Sequence, residues 1–171
     1  MNPIDLQRLV DLEQVKLLKT RYCRFLDTRQ WDAMRALFTD DARFEGLAAA
    51  PDGSDADTFV KGLAARFDTA VSAHHVHSPE VSFLSETTAR AIWPLSDYIE
   101  WAAPIGLPGA PEARGYYGYG LYEEEYRKVD GEWKICFVRL IRRHRIPLFA
   151  DHPPFPGPSL PRNDDWLRGH S

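Results

Sequence analysis

Ala73–Trp101 reads AHHVHSPEVSFLSETTARAIWPLSDYIEW, and its change of period decides the fold class of this 171-residue chain. Before it, apolar residues recur at three- and four-residue steps. Leu6, Leu9, Val10, Leu18, Tyr22, Phe25 and Leu26 define a helix over 4–29. Trp31–Phe38 reads as a second, short helix, and Phe59–Val71 as a third. From His74 onward the period is two. Strands are expected over 75–84 and 88–101, split by Ser-Glu-Thr-Thr, and over 115–128 and 132–145, split at Asp130-Gly131. The stretch FTDDARFEG, beginning at Phe38, adds an earlier strand, while 46–58 and 102–114 are loops rich in Gly, Pro and small residues. Helices followed by an antiparallel meander imply an α+β domain, a curled sheet folded around three N-terminal helices.

One domain is expected over 1–146, and the length suffices for a sizeable core. Residues 147–171 form a Pro-rich tail that excludes helix and central strand. Leu148, Phe149 and Phe155 imply that part of it packs down, over the pocket mouth of its own or a neighbouring subunit; the alternative is a loose end.

Net charge is −4, and the one basic cluster, Arg139–Arg145 (RLIRRHR), alternates with apolar residues as a strand does. Nucleic acid is therefore not an expected partner. Two cysteines, Cys23 and Cys136, stand outside any CxxC pair, which excludes a disulfide scaffold. The opening MNPIDLQRLVDLEQ lacks the pattern of a signal peptide, and no apolar run reaches membrane-span length, so a cytoplasmic location and no membrane partner are expected.

Alternation sorts each strand onto two faces. Ala89, Ala91, Trp93, Leu95, Asp97, Ile99 and Trp101 share one row, in which Asp97 is the only polar residue. A carboxylate there must be paired or neutralised. Trp133, Ile135, Phe137, Arg139 and Ile141 form a second row, with Arg139 as its exception. A guanidinium on an apolar face binds a carboxylate or a ligand anion. Two such exceptions point to a lined pocket, a buried Asp–Arg pair, or rows that face solvent after all. His75 and His77 share a face and His74 takes the other; Pro79 can flip the register, so alternation does not choose between them. Asp27 falls in the last turn of the first helix, at the negative end of its dipole. That position suits a base with a raised pKa or a solvated loop residue. Tyr22, one turn earlier, suits a core aromatic equally well. His75-Val76-His77 has metal-pair spacing, but no third ligand follows at a recognisable distance, and no metal is expected.

The pattern RYxxxLDxxxWDxxxxLFxxDA over Arg21–Ala42, the histidine-bearing strand start at His74, and YxxxYRKxDGxWKI over Tyr122–Ile135 resemble the SnoaL-like branch of the nuclear transport factor 2-like superfamily. The similarity spans roughly residues 5–145 and is specific for the fold, weak for the reaction. It implies a cone: a strongly curved antiparallel sheet around three helices, with a pocket at the open end. Cofactor-free dehydratases, a dehydrochlorinase, ketosteroid isomerases and polyketide cyclases share that fold. By motif and spacing the resemblance carries catalytic roles onto Tyr22, Asp27 and His74, a second Asp onto Asp97, and an Arg of the last strand onto Arg139. It selects His74 over His75. His75, Trp93, Trp101, Tyr119 and Phe137 are the expected pocket lining. Many similar chains read His-Tyr-His-Glu where this one has Leu121-Tyr122-Glu123-Glu124, implying a different substrate.

These readings imply a lyase or isomerase without cofactor, acting on a hydrophobic cyclic or aromatic small molecule. His74 would be the base and Asp27 its orienting partner. Tyr22, with Arg139, would stabilise developing negative charge, and Asp97 would protonate a leaving group. A homo-oligomer, dimer or trimer, is expected. The rival is a non-catalytic ligand-binding protein or partner subunit, like the β-subunits of ring-hydroxylating dioxygenases, which needs no His–Asp pair.

Overall fold

The computed structural model describes residues 3–150, with side chains from Leu6 onward. The expected pocket cover by the tail lies beyond Ala150, outside the described residues. Helix α1 (Pro3–Asp27) buries Leu18, Tyr22, Phe25 and Leu26 of the expected apolar face, together with Val15, but Leu6, Leu9 and Val10 near its start are exposed. Lys19 lies on that same face and is fully buried.

The end of α1 is built closely. Arg29 takes a left-handed φ of 57°, Gln30 N–H donates to Phe25 at 2.9 Å, and Arg29 N–H to Leu26 at 3.1 Å. This is a Schellman closure with arginine in the place glycine usually fills. The Arg29 side chain then donates to the carbonyls of Phe67, at 2.7 Å, and Ala70. The helix end is thereby tied to the chain just ahead of the histidine-bearing strand.

Helix α2 (Trp31–Arg35) is shorter than expected, because Phe38 already belongs to strand β1 (Phe38–Glu45). Helix α3 (Ala56–Phe67) begins three residues before the expected Phe59, where Asp55 caps the Thr58 N–H at 2.8 Å. It packs onto β1 through Phe59, whose ring stacks on Phe44 with centroids 3.9 Å apart. The expected strand 75–84 is two strands, β2 (Val71–Val76) and β3 (Glu80–Phe83), broken at Ser78-Pro79. Both lie antiparallel along β4 (Thr88–Glu100), β2 against Leu95–Glu100 and β3 against Ala89–Ile92. Pro94 faces the gap between them, where its missing N–H costs no ladder bond, and its carbonyl accepts from His77 N–H at 2.9 Å.

Strands β5 (Gly115–Val129) and β6 (Glu132–Leu148) complete a six-stranded sheet of order β1-β6-β5-β4-β2. Its pairs are antiparallel except β1–β6, which is parallel. This curved α+β sheet wrapped on the helices is the expected cone. β6 runs two residues past the expected domain edge at Ile146, and Leu148 is buried while Phe149 is exposed. Two irregularities in β6 matter for the site. Glu125 and Tyr126 pair Phe137 and Ile135, so Cys136 is an extra residue; Tyr119 and Gly120 pair His144 and Arg142, so Arg143 is a second.

Candidate active site

The Schellman end of α1 sets Asp27 against the first half of β2. Its Oδ1 accepts from Ser72 Oγ at 2.8 Å and lies 2.6 Å from His74 Nδ1, while its Oδ2 accepts from His74 N–H at 2.8 Å. Burial pushes the Asp27 pKa up, but the His74 ring contact, the His74 backbone N–H and Ser72 together hold it below the usual carboxylate value. An ionised Asp27 can only accept, so this contact favours a proton on Nδ1 and turns Nε2 to the cavity side. His74 is buried and His75 exposed, so the choice that alternation left open falls to His74.

Asp97 projects from β4 directly opposite His74, with its Oδ2 4.0 Å from His74 Nε2. It is nearly fully buried, as the apolar row required. Its partner comes from β6: Arg142 donates from both terminal nitrogens, at 2.8 and 2.7 Å, a bidentate charge-assisted pair. β4 and β6 are not neighbours. The pair crosses β5 over Gly118, which is paired to Asp97. A Cβ on Gly118 would lie 2.0 Å from Asp97 Oδ1 and 2.2 Å from Arg142. Glycine is what makes room for the bridge. Both Asp97 oxygens accept from Arg142, so Asp97 is placed as an acceptor that fixes the guanidinium and not as the proton donor expected of it.

Arg139, expected on the inner face, is not there. It is 45% exposed at its side chain and holds Glu45 and Glu123, at 2.8 and 3.1 Å, on the outer face. The extra residue Cys136 shifts the parity of β6, turning Ile135, Val138, Leu140 and Arg142 inward and Phe137, Arg139 and Ile141 outward. Phe137 therefore leaves the pocket as well. Tyr119 is exposed and stacks on His144 outside the cone, for β5 turns Tyr116, Gly118, Gly120 and Tyr122 inward. Trp93 faces inward but packs in the core, its indole N–H donating to Tyr126 at 2.8 Å. Trp101 stands at the rim, packed on Phe67 and Tyr116 and donating to the Arg66 carbonyl at 2.9 Å.

Tyr22 is fully buried beside Tyr122, and its hydroxyl has no hydrogen-bond partner among the described residues. Burial pushes its pKa up, and the Glu124 charge adds to this. A buried unpaired hydroxyl is costly, and this one lines the cavity with His74. Arg142 Nε is likewise buried without a partner. The cavity also meets Leu63, Phe67, Ile99, Leu140, and Leu47–Ala49 of the loop after β1. It is narrow, about 50 Å³, room for a water or two.

Beneath the cavity, Lys19 and Glu124 form a fully buried ion pair. The Lys19 ammonium lies 3.4 Å from the Tyr122 ring centre and 4.1 Å from that of Tyr22. Glu124 also accepts from Tyr126. This is where the Leu121-Tyr122-Glu123-Glu124 departure leads: Glu124 turns inward to Lys19, and Glu123 outward to Arg139. Among the described residues, no cluster of three or more His, Cys, Asp or Glu side chains is arranged to hold a metal ion, and no helix is long and apolar enough to cross a membrane.

Arg142, Tyr116, Tyr122, Arg66 and Arg145 line the site without having been expected there. Gly118 and Gly120 carried the available sign, small residues inside an otherwise bulky strand.

A curved sheet closing on three helices, with a His–Asp pair and an Asp–Arg bridge at its open end, defines a nuclear transport factor 2-like cone with an internal polar pocket. Residues 7–139 match the family described as the SnoaL-like domain, and the chain belongs to it. A protein assigned as a scytalone dehydratase from Novosphingobium aromaticivorans superposes with a TM-score of 0.70 at 20% identity, over 86% of this chain and 98% of that one. The hexachlorocyclohexane dehydrochlorinase LinA-type3 of Novosphingobium barchaimii LL02 gives 0.69 at 19%, over 89% and 99%. In sequence, the chain is 26% identical over 143 residues to probable cyclase FGR4 of Gibberella zeae, covering 75% of this chain and 86% of that protein.

Proposed function

We propose that this protein is a cofactor-independent proton-transfer enzyme, a lyase of dehydratase type or an isomerase, acting on a small cyclic or aromatic molecule. The observation that carries the reading is the 2.6 Å contact between His74 Nδ1 and Asp27, which turns Nε2 toward the polar cavity lined by Tyr22, Asp97 and Arg142. His74 Nε2 takes a proton from a carbon acidified by a neighbouring carbonyl or leaving group. Asp27 holds the ring and supports the imidazolium formed. The C–H electron pair becomes the new double bond. In elimination the β-substituent leaves with its own bonding pair; in isomerisation the proton returns from His74 to a different carbon. Tyr22 and Arg142, which line the cavity and each carry a buried donor without a partner among the described residues, stabilise the oxyanion or the departing group. Dehydratase, dehydrochlorinase and cyclase names among the similar proteins support chemistry of this kind. A binding protein or partner subunit has no need of the His–Asp pair.

A ring does not fit the cavity as folded, so binding displaces Leu47–Ala50, a half-exposed segment that follows Gly46 at φ 68°. The test is deuterium wash-in from D₂O across cyclic enones and β-hydroxy ketones, followed by mass spectrometry. Exchange is expected in the native protein and should fall by about 10²–10⁴ in His74→Ala. Exchange that survives this substitution would remove His74 from the mechanism.

A further inference from the structure

The basic run Arg139–Arg145 is only partly accounted for by the proposed chemistry. On the outer face of the sheet arginines are paired: Arg90 with Glu125, Arg127 with Asp41, Arg139 with Glu45 and Glu123. The mouth of the cavity is different. The extra residue Arg143 brings Arg145 back to the inner face, opposite Gly118 and next outward from Arg142. The Arg145 guanidinium lies 5.1 Å from the Tyr116 ring centre. Across the mouth, Arg66 of α3 lies 5.0 Å from the ring centre of Trp101, and the Trp101 and Tyr116 rings are 6.3 Å apart. Neither guanidinium has a carboxylate partner among the described residues. Among the described residues the only carboxylate lining the cavity is Asp97, already occupied on both oxygens by Arg142. A second cavity, which also meets Arg142 and Arg145, adds Arg143, His144 and Pro147, and among the described residues no acid lines it. The net charge of the chain is −4, yet the described residues at this end of the cone are locally positive.

A guanidinium laid on an aromatic face keeps its edge N–H groups free, in the fork that matches a carboxylate or phosphate. We propose that the substrate carries an anionic group, a carboxylate or a phosphate, which Arg66 and Arg145 hold at the mouth while the reacting carbon lies at His74. The placement of the reacting carbon rests on the proton-transfer reading; the anion site does not. The two arginines come from different elements, α3 and β6, so the anion also fixes the direction in which the ring enters. Binding should weaken with added salt, because both groups are partly or fully exposed.

Probes of one size separate charge from shape: benzoate, benzamide and phenyl phosphate, titrated by two-dimensional NMR into the full chain and into Arg66→Met, Arg145→Met, His74→Ala and the outer-face control Arg90→Gln. Benzoate or phenyl phosphate should bind about tenfold more tightly than benzamide. Each mouth substitution should cost the anions roughly threefold to tenfold and leave benzamide unchanged. Arg90→Gln should match the native protein. Phenyl phosphate stronger than benzoate, with competition by inorganic phosphate, assigns the phosphate; the reverse order assigns the carboxylate. Equal binding of benzoate, phenyl phosphate and benzamide, anion binding indifferent to both mouth substitutions, or no anion binding at millimolar concentration would each overturn the proposal. His74→Ala should retain anion binding while losing deuterium exchange. Arginine-dependent anion binding without exchange in any anionic enone would leave the anion site standing and remove the proton-transfer reading. Exchange confined to neutral enones would do the opposite.

Discussion

Gly118→Ala should break the Asp97–Arg142 bridge, and the size of the effect follows from the geometry. The added Cβ would stand 2.0 Å from Asp97 Oδ1 and 2.2 Å from an Arg142 nitrogen. Ordinary contact is about 3.5 Å, so the pair must retreat by more than about 1 Å. Its two bonds, now 2.8 and 2.7 Å, would then exceed hydrogen-bonding range. The Asp97 side chain, 1% exposed, would be left as a buried charge without a partner, a loss of about 3–5 kcal/mol. Alanine restrains the unfolded chain more than glycine does, which offsets up to about 1 kcal/mol. A net loss of about 2–4 kcal/mol corresponds to a Tm lower by roughly 5–15 °C at this chain length. Urea titration measures the first and calorimetry the second. The same substitution in an Asp97→Ala, Arg142→Met background should cost little, since no pair remains to displace. Full stability of the single variant, or an equal loss in both backgrounds, would refute the view that the bridge needs an empty position on β5.

Asp27 gives a pH prediction. Its native pKa is depressed, so below neutrality the unfolded state binds more protons and stability rises with pH through the acid range. The contribution is present above the unfolded carboxylate value near 3.9 and is lost as pH falls through the lower native value. Asp27→Asn should flatten this limb in denaturant titrations between about pH 2 and 5. Lys19→Met should cost about 3–5 kcal/mol by stranding Glu124, and Lys19→Met with Glu124→Leu should recover much of that in the same titrations. Arg139→Gln, by contrast, should leave the urea midpoint and the wash-in rates close to those of the native protein, because both of its ion pairs are half-exposed.

What the amino-acid pattern determined by itself is the part of the site carried by local rules. The three-four spacing of α1 placed Tyr22 and Asp27 on one helix. The unbroken alternation of β4 put Asp97 in the buried row, because β4 pairs β5 without a register shift and Pro94 falls where no donor is needed. The reading of β6 failed for the corresponding reason. Its two extra residues, Cys136 and Arg143, each reverse the side-chain parity, and what selects a bulge is the pairing with β5 rather than anything in the strand itself. Arg139 and Arg142 look equivalent in the string RLIRR, and only the sheet turns one outward and the other onto Asp97. The histidine was ambiguous for a similar reason. His74 differs from His75 by whether Asp27 reaches it, and that contact depends on how the end of a helix is pinned, through Arg29, to a segment some 40 residues away. Strand alternation and helix periodicity are short-range and survive in sequence. Register, bulges and the approach of one element's end to another's start are decided by packing.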